Sequence, residues 1–158
     1  DALDAKQIPY EICPGVSSMS GAAAAIGREY TLPDVAQSVI ICRMEGRTAV
    51  PDGQQLQELA SHHTTMIIFL SAGLTEQVQQ ALLQGGYMPD TPACIVYKAT
   101  WPEQSIHYCT VATLHETAIE NHISKTALLL IGDFLGKEYE LSRLYAPDFS
   151  TEFRKAKE

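Results

Sequence analysis

Short runs of apolar residues alternate along the chain with stretches in which apolar residues recur every three or four positions. Runs of about four to eight residues that are rich in Ile, Val and Leu predict buried strands, whereas the spaced stretches predict helices with one face on a sheet. The predicted strands span residues 10–13, 38–43, 64–71, 92–100, 104–114 and 126–134. The predicted helices span residues 18–27, 54–60, 75–86 and 114–121.

The order of these elements predicts the fold class. Strands that alternate with helices of this length indicate an α/β fold, a three-layer sandwich whose sheet is mostly buried. Residues 104–114 follow the preceding strand after a short turn, so we expect a mixed sheet. Gly27 and the pair Gly85–Gly86 end two of the predicted helices, where a left-handed cap is common.

The length of 158 residues fits one domain with a core of its own. The predicted elements lie within residues 1–145, and residues 146–158 form a polar C-terminal tail. The chain begins with Asp1 and enters its first predicted strand almost at once. We therefore expect it to be a piece of a longer protein, with an N-terminal part that is missing here.

Composition and charge narrow the class of partner. Hydrophobic residues make up 46% of the chain and charged residues 19%, as in a soluble globular protein. The net charge of −8, with no cluster of Lys and Arg, argues against a nucleic-acid partner. The longest apolar run, at 127–131, is far shorter than the roughly 20 residues of a membrane span, and no signal peptide is visible.

The four cysteines, Cys13, Cys42, Cys94 and Cys109, are widely spaced and lack the paired spacing of a zinc site. The first three fall in apolar, strand-like segments, so we expect buried, reduced thiols. Reduced thiols favour a cytoplasmic location.

The candidate ligand-binding residues lie in four loops that follow predicted elements. Ligands of open α/β sheets bind at the carboxyl ends of the strands. Each loop also has an ordinary explanation: Ser17 or Ser18 can cap a helix, the charged loop can be a solvated turn, and Trp101 can plug the core. Four such loops at one edge of one sheet favour a ligand site. The loops are residues 14–18, 43–51, 70–73 and 97–104.

Other kinds of site find little support in the sequence. The histidines lack ligand-like spacing, and His62–His63 fits a surface pair at a helix end. No nucleophile elbow, phosphate-binding loop or dinucleotide-binding loop is present. The residues alone therefore indicate an α/β domain with a ligand edge, and a non-catalytic binding or dimerisation domain stays an alternative.

Several motifs together resemble one family. The segment YEICPGVSSMSGAAAAIGREYTLPDVAQSVIICRMEGRTAVPDG, with IFLS, YKATWPEQ and TALLLIGDFL, is similar to the tetrapyrrole methyltransferases of cobalamin synthesis. The resemblance runs from about Tyr10 to Leu135. PGVSS alone would mark only the superfamily, whereas RMEGRT followed by ATWPEQ resembles the branch that methylates precorrin-4 or cobalt-precorrin-4 at C11.

The resemblance implies a two-domain, homodimeric enzyme with S-adenosylmethionine in the cleft between its domains. This methyl donor becomes S-adenosylhomocysteine, and the acceptor is a precorrin. The glycine-rich loop and Gly-Asp-Pro segment of the family's N-terminal domain are absent, so the chain resembles the C-terminal domain alone. A different tetrapyrrole, such as uroporphyrinogen III, or another pathway of the superfamily (siroheme or diphthamide) stays an alternative, against which the loop RMEGRTAVP argues.

The resemblance also implies site residues. Contacts to the cofactor fall on Ser17, Ser18, Leu70, Ala99, Thr126 and Ala127. The carboxylates of the tetrapyrrole need cationic partners, and the candidates for the substrate site are Arg43, Glu45, Arg47 and Lys98. We expect Glu45 to form an ion pair with Arg43 or Arg47 that shapes the loop. No catalytic base is assigned, because methyl transfer to an electron-rich carbon depends on positioning and exclusion of water.

Overall fold

A single mixed sheet forms the centre of the molecule. The computed structural model describes residues 1–137, 150, 152 and 155. The strands in this part of the chain are β1 (Val39–Arg43), β2 (Thr65–Phe69), β3 (Pro92–Tyr97), β4 (Ser105–Thr110) and β5 (Ala127–Ile131). They lie in the order β1-β2-β5-β3-β4. β1 and β2 are parallel, and β5 runs antiparallel to both of its neighbours, as β4 does to β3.

Helices connect the strands in the described residues. They are α1 (Ala2–Ala5), α2 (Ser18–Ile26), α3 (Leu56–Ala60), α4 (Thr75–Gln84) and α5 (Leu114–Glu120), with 3-10 turns at Val111–Thr113 and Asp133–Leu135. α2 ends at Gly27, which has the left-handed φ of 62° that glycine adopts most readily. None of the helices in these residues combines the length and the apolar character that crossing a membrane requires.

The two faces of the sheet are covered by different helices. α3, α4 and α5 pack on one face, where Leu82 and Leu114 are fully buried. α2 and the turn Asp133–Leu135 cover the centre of the other face through Ala22 and Phe134. Successive strand residues enter opposite clusters because side chains alternate across a sheet. The predicted three-layer α/β sandwich with a mixed sheet is thus confirmed.

The strand predicted at residues 10–13 is wrong. Residues 8–17 have no regular structure, and Ile12 is 82% exposed. A strand needs a neighbour for its backbone hydrogen bonds, and no strand of the described residues pairs with this segment. Cys13 is consequently exposed rather than buried, whereas Cys94 is buried and Cys42 and Cys109 are half-buried.

Several predicted bounds shift by a few residues. The strand predicted at 92–100 ends at Tyr97, because Lys98 and Thr100 have left-handed φ values of 45° and 72°. Residues 111–113 form a 3-10 turn rather than the end of the strand. The predicted domain boundary at residue 145 and most of the predicted tail at 146–158 lie outside the described residues.

We predict that α3 and α4 tolerate no side chain where they approach at Gly85. A Cβ there would overlap the Ala60 Cβ and the Gln57 carbonyl oxygen. The φ of Gly85 is −77°, so overlap rather than backbone strain sets the cost. Gly85→Ala is expected to lower the free energy of unfolding in urea by about 2 kcal/mol or more.

Gly15→Ala is the matched control, because a Cβ at Gly15 would meet no atom within 4 Å. It should change the same free energy by less than about 1 kcal/mol. Equal effects of the two variants would contradict the close approach of the helices.

Candidate functional site

A cleft of about 350 Å³ opens at the edge of the sheet where β1, β2 and β3 end and β5 begins. The pairing of Tyr97 with Ala127 places the end of β3 beside the start of β5. Six residues that the sequence nominated line this cleft: Ser18, Leu70, Lys98, Ala99, Thr126 and Ala127. Three of the four nominated loops, those at 14–18, 70–73 and 97–104, therefore contribute to one cleft, and the loop at 43–51 does not line it.

The chain enters or leaves the strands at this edge through left-handed residues. Leu70, Lys98 and Thr126 line the cleft with φ values of 54°, 45° and 55°, and Thr100 nearby has a φ of 72°. Such values are uncommon for residues other than glycine, and each costs on the order of 1–3 kcal/mol. Conformations of this kind cluster at functional sites, so their concentration here supports a binding role for the cleft.

Small residues keep the walls of the cleft close to the main chain. Ala72, Gly73, Ala99 and Ala127 all line it. A Cβ on Gly73 would lie 3.1 Å from the carbonyl oxygen of Ser124, which is tighter than ordinary packing allows. A ligand in the cleft can therefore reach backbone groups that larger side chains would cover.

The two serines at the start of α2 have different positions. Ser17 is the N-cap, and its Oγ accepts a hydrogen bond from the Met19 amide at 3.4 Å. Ser17 does not line the cleft, whereas Ser18 does. The ordinary capping role thus accounts for Ser17, and Ser18 is the residue that faces the candidate site.

Arg43 shapes its own loop. Its guanidinium donates hydrogen bonds to the carbonyls of Met44, Thr48 and Ala49, at 3.3, 3.1 and 2.8 Å. The expected ion pair with Glu45 is wrong. The ion pairs of the described residues join the N-terminal amino group of Asp1 to Asp4 and Lys98 to Glu103. Carbonyl partners take up the charge of Arg43 and fold residues 43–49 into a compact turn.

The 43–49 loop adjoins the cleft but does not line it. The Met44 amide donates to Ser71 Oγ at 2.8 Å, which ties this loop to the one after β2. A Cβ on Gly46 would lie 3.4 Å from Leu74 Cδ1, so the two loops are in contact. Glu45 and Arg47 are exposed on this loop, outside the cleft itself.

Burial clearly raises the pKa of several groups among the described residues, and none of these groups lines the cleft. Burial raises the pKa of the Cys42 and Cys109 thiols to about 11, and that of Cys94 and of the Tyr30 hydroxyl to about 12. These four groups lie in the core rather than the cleft. No cluster of His, Cys, Asp or Glu in the described residues could hold a metal ion.

Sequence reasoning missed several residues that line the cleft. They are Phe69, Val96, Ser124, Lys125 and Leu128, whereas Ala72, Gly73 and Trp101 lie in two of the nominated loops but were given no individual role. Most of them adjoin residues that were nominated, so loop neighbourhood was the available signal. Lys125 is the most important of the residues that were not predicted. In the sequence, a lysine directly before a buried strand cannot be told from an ordinary surface residue.

The fold and the cleft define a member of a methyltransferase family. The model of the Tetrapyrrole (Corrin/Porphyrin) Methylases matches residues 1–115, and the chain belongs to this family. It is 42% identical to the cobalt-precorrin-4 C(11)-methyltransferase of Methanocaldococcus jannaschii over 99% of its length. It is 43% identical to the enzyme of the same name from Priestia megaterium over 97% of its length.

Solved structures show the same architecture. A cobalt precorrin-4 methyltransferase superimposes with a TM-score of 0.83 at 43% identity, over 86% of this chain and 57% of the other. The uroporphyrin-III C-methyltransferase of Thermus thermophilus, solved with S-adenosyl homocysteine, gives a TM-score of 0.67 at 22% identity, over 84% of this chain and 57% of the other, which shows a shared fold. The chain spans 61% of the length of each of the two curated relatives above.

We predict that Arg43 holds the 43–49 loop closed. Arg43→Met keeps the length of the side chain but removes three charge-assisted hydrogen bonds, each worth on the order of 1.5–3 kcal/mol. Trypsin cleavage after the exposed Arg47 should become about tenfold faster, because cleavage requires the loop to open. Mass spectrometry of the fragments measures the rate.

Glu45→Gln is the control for this loop, since Glu45 is exposed and has no ion pair within the described residues. Its cleavage rate should match that of the unmodified chain. An unchanged rate in Arg43→Met would show that the carbonyl contacts do not hold the loop.

Proposed function

We propose that the chain forms one wall of a cleft in which S-adenosylmethionine methylates precorrin-4 or cobalt-precorrin-4 at C11, a step of cobalamin synthesis. The observation that carries the proposal is the convergence on one cleft of five residues that the motifs assign to the cofactor: Ser18, Leu70, Ala99, Thr126 and Ala127. The names of the relatives with 42% and 43% identity agree with this activity.

The residues of the cleft fit a folded nucleoside cofactor. Its volume of about 350 Å³ falls in the range of about 300–1,000 Å³ that small-molecule sites occupy. A Cβ on Gly73 would crowd the Ser124 carbonyl at 3.1 Å, so a glycine here keeps the two main-chain segments of the cleft wall close together. Ser18 and Thr126 add hydroxyl groups that can donate or accept hydrogen bonds.

The proposed methyl transfer needs little from titratable side chains. When bound, S-adenosylmethionine supplies an electrophilic methyl group, which passes to a substrate carbon and leaves the neutral thioether S-adenosylhomocysteine. The residues of this chain bind the donor, fix its orientation and exclude water, which are the contributions that such a transfer needs. Among the described residues, no Asp, Glu, His, Cys or Tyr lines the cleft, which agrees with this division of labour.

The cations near the cleft divide into two roles. Arg43 is engaged with three carbonyls, so we assign it to loop structure rather than to the substrate. Arg47 is exposed on the same loop and remains our candidate for a carboxylate of the tetrapyrrole. Lys98 stays a second candidate because it lines the cleft, and Glu45, which is exposed on the 43–49 loop, stays a candidate without an assigned chemical role.

The remaining wall would come from an N-terminal domain, with residues 1–145 as the C-terminal domain and residues 146–158 as its tail. Leu70 at the cleft is 86% exposed, which fits a surface that another domain covers. We further propose that the whole protein is a homodimer. A cytoplasmic location fits the free thiols of Cys42, Cys94 and Cys109.

Two alternatives are outcomes of the same test. Methylation of uroporphyrinogen III has some support, because the uroporphyrinogen-III C-methyltransferase of Bacillus subtilis is 30% identical over 141 residues. That identity is well below the 42% to the Methanocaldococcus enzyme. A non-catalytic domain on the same scaffold is the other alternative.

We predict that a protein containing this chain and its N-terminal domain transfers label from methyl-labelled S-adenosylmethionine to precorrin-4 or its cobalt complex. Extraction of the tetrapyrrole and mass spectrometry locate the label, which should lie at C11. Labelling of uroporphyrinogen III alone would favour the first alternative, and no labelling of any tetrapyrrole would favour the second.

We also predict that Arg47→Ala weakens the tetrapyrrole more than the cofactor. Loss of one charge-assisted contact should raise the KM for the precorrin about tenfold and leave the Kd of S-adenosylhomocysteine within about twofold. Arg28→Ala is the matched control, because Arg28 follows the end of α2 that lies opposite Ser18. Equal changes in both constants, or no change in either, would remove the assignment of Arg47.

A further inference from the structure

A tryptophan and a lysine lie together at the mouth of the cleft. Lys98 Nζ lies 5.3 Å from the centroid of the Trp101 ring and 5.4 Å from that of Tyr97, within the range of a cation–π contact. Trp101 is 55% exposed, so the interpretation of this residue as a core plug is wrong. A large aromatic surface that lines a cleft offers a contact to a ligand bound there.

The turn that holds Trp101 is fixed by several independent contacts. The Lys98 amide donates to the Thr126 carbonyl at 2.8 Å, and the Trp101 amide donates to the Lys98 carbonyl at 2.9 Å. The Thr100 amide donates to Gln104 Oε1 at 2.7 Å. These bonds maintain the left-handed backbone at Lys98 and Thr100 and fix the main chain from which the indole projects.

Helix α2 supports the same turn from behind. A Cβ on Gly21 would lie only 2.7 Å from Thr100 Cγ2, so the helix reaches the turn because residue 21 has no side chain. The glycine among the small residues of α2 therefore serves the position of Trp101 as well as packing on the sheet. A rigid support of this kind is what an aromatic binding surface needs.

The charge of the cleft favours an anionic ligand. The charged residues among the described ones that line it are Lys98 and Lys125, and neither Asp nor Glu lines it, in a chain with a net charge of −8. Glu103 lies 3.8 Å from Lys98 Nζ, but its side chain is 62% exposed and outside the cleft, so it neutralises Lys98 only partly. The Lys98 ammonium can therefore donate a hydrogen bond to a second carboxylate besides that of Glu103.

We propose that Trp101 and Lys98 form a platform for the tetrapyrrole, with a conjugated face of the macrocycle on the indole and a substrate carboxylate beside the Lys98 ammonium. The platform rests on the proposed function, because it takes the substrate to be a tetrapyrrole. An aromatic face next to a cation matches a conjugated ring that bears acidic side chains. The open position of Trp101 matches a ligand that extends beyond a cleft of about 350 Å³.

Direct binding to the 158-residue chain tests the platform without catalysis. Trp101 is the single tryptophan, so a ¹⁵N-labelled sample gives one indole N–H resonance. Titration with uroporphyrin, a stable tetrapyrrole with acidic side chains, should move this resonance upfield to saturation through the ring current of the macrocycle. Titration with S-adenosylhomocysteine should move the Leu70 and Thr126 amides and shift the indole resonance less than uroporphyrin does.

Lys98→Met distinguishes the platform from adventitious stacking on an exposed indole. This variant should weaken uroporphyrin about tenfold and reduce the dependence of its Kd on salt, whereas Lys98→Arg should restore both. An indole shift that is the same in Lys98→Met, or that appears with S-adenosylhomocysteine and not with uroporphyrin, would overturn the proposal.

Kinetics of the longer, two-domain protein provide the second test. Trp101→Leu should raise the KM for the precorrin about tenfold and leave kcat within about twofold, whereas Trp101→Phe should retain most of the affinity. Tyr108→Leu is the matched control, since Tyr108 is 59% exposed in the middle of β4, away from the cleft.

The outcomes separate the two proposals. If the unmodified two-domain protein methylates a precorrin but Trp101→Leu leaves the KM unchanged, the platform is wrong and the proposed function stands. If the unmodified protein methylates no tetrapyrrole, the proposed function fails, and an indole that uroporphyrin does not shift then removes the platform as well.

Discussion

The hydrogen bond from the Lys98 amide to the Thr126 carbonyl, 2.8 Å long, joins the two chain segments on which the cleft is built. It continues the ladder between β3 and β5 by one step beyond Tyr97 and Ala127. Because β5 lies antiparallel between β2 and β3, its start is brought to the edge where both neighbours end. A parallel β5 would carry Thr126 to the opposite edge, and the cleft would lose one side.

Burial of the central strands stabilises the strained turns at this edge. Leu129, Leu130 and Ile131 of β5 are fully buried, as are Ile67 and Ile68 of β2. Burying such a side chain contributes about 1.5–3 kcal/mol, comparable with the cost of on the order of 1–3 kcal/mol for one left-handed residue. The core can therefore hold several unfavourable backbone conformations at the cleft, where a ligand can reach the main chain.

The covering helices and the central strands could be predicted from sequence because their apolar spacing is regular. The strand predicted at 10–13 failed because alternation of apolar residues reports local preference and not the presence of a pairing partner, and Ile12 is exposed. The left-handed turns at Leu70 and Thr126 could not be predicted, since neither residue type favours that backbone. Most of the residues nominated for the cofactor line the cleft, because the motifs that contain them lie at the ends of strands.

The loop RMEGRT shows why side-chain roles are harder to predict than positions. Arg43 and Arg47 are the same residue type four positions apart, and the sequence offers no basis for assigning them different functions. The fold gives them different surroundings. Arg43 is the last residue of β1, and its guanidinium donates hydrogen bonds to carbonyls of the turn that follows.

Arg47 is exposed on that turn and forms no ion pair within the described residues, so its charge can meet an anionic ligand. Charge interactions between exposed groups are screened beyond about 8–10 Å at physiological salt, so the net charge of −8 has little influence on an anionic substrate close to Arg47. Local placement of a few cations, rather than overall charge, therefore governs recognition at this edge. The same argument applies to Lys98 and Lys125, whose charges face a cleft that no acidic side chain of the described residues lines.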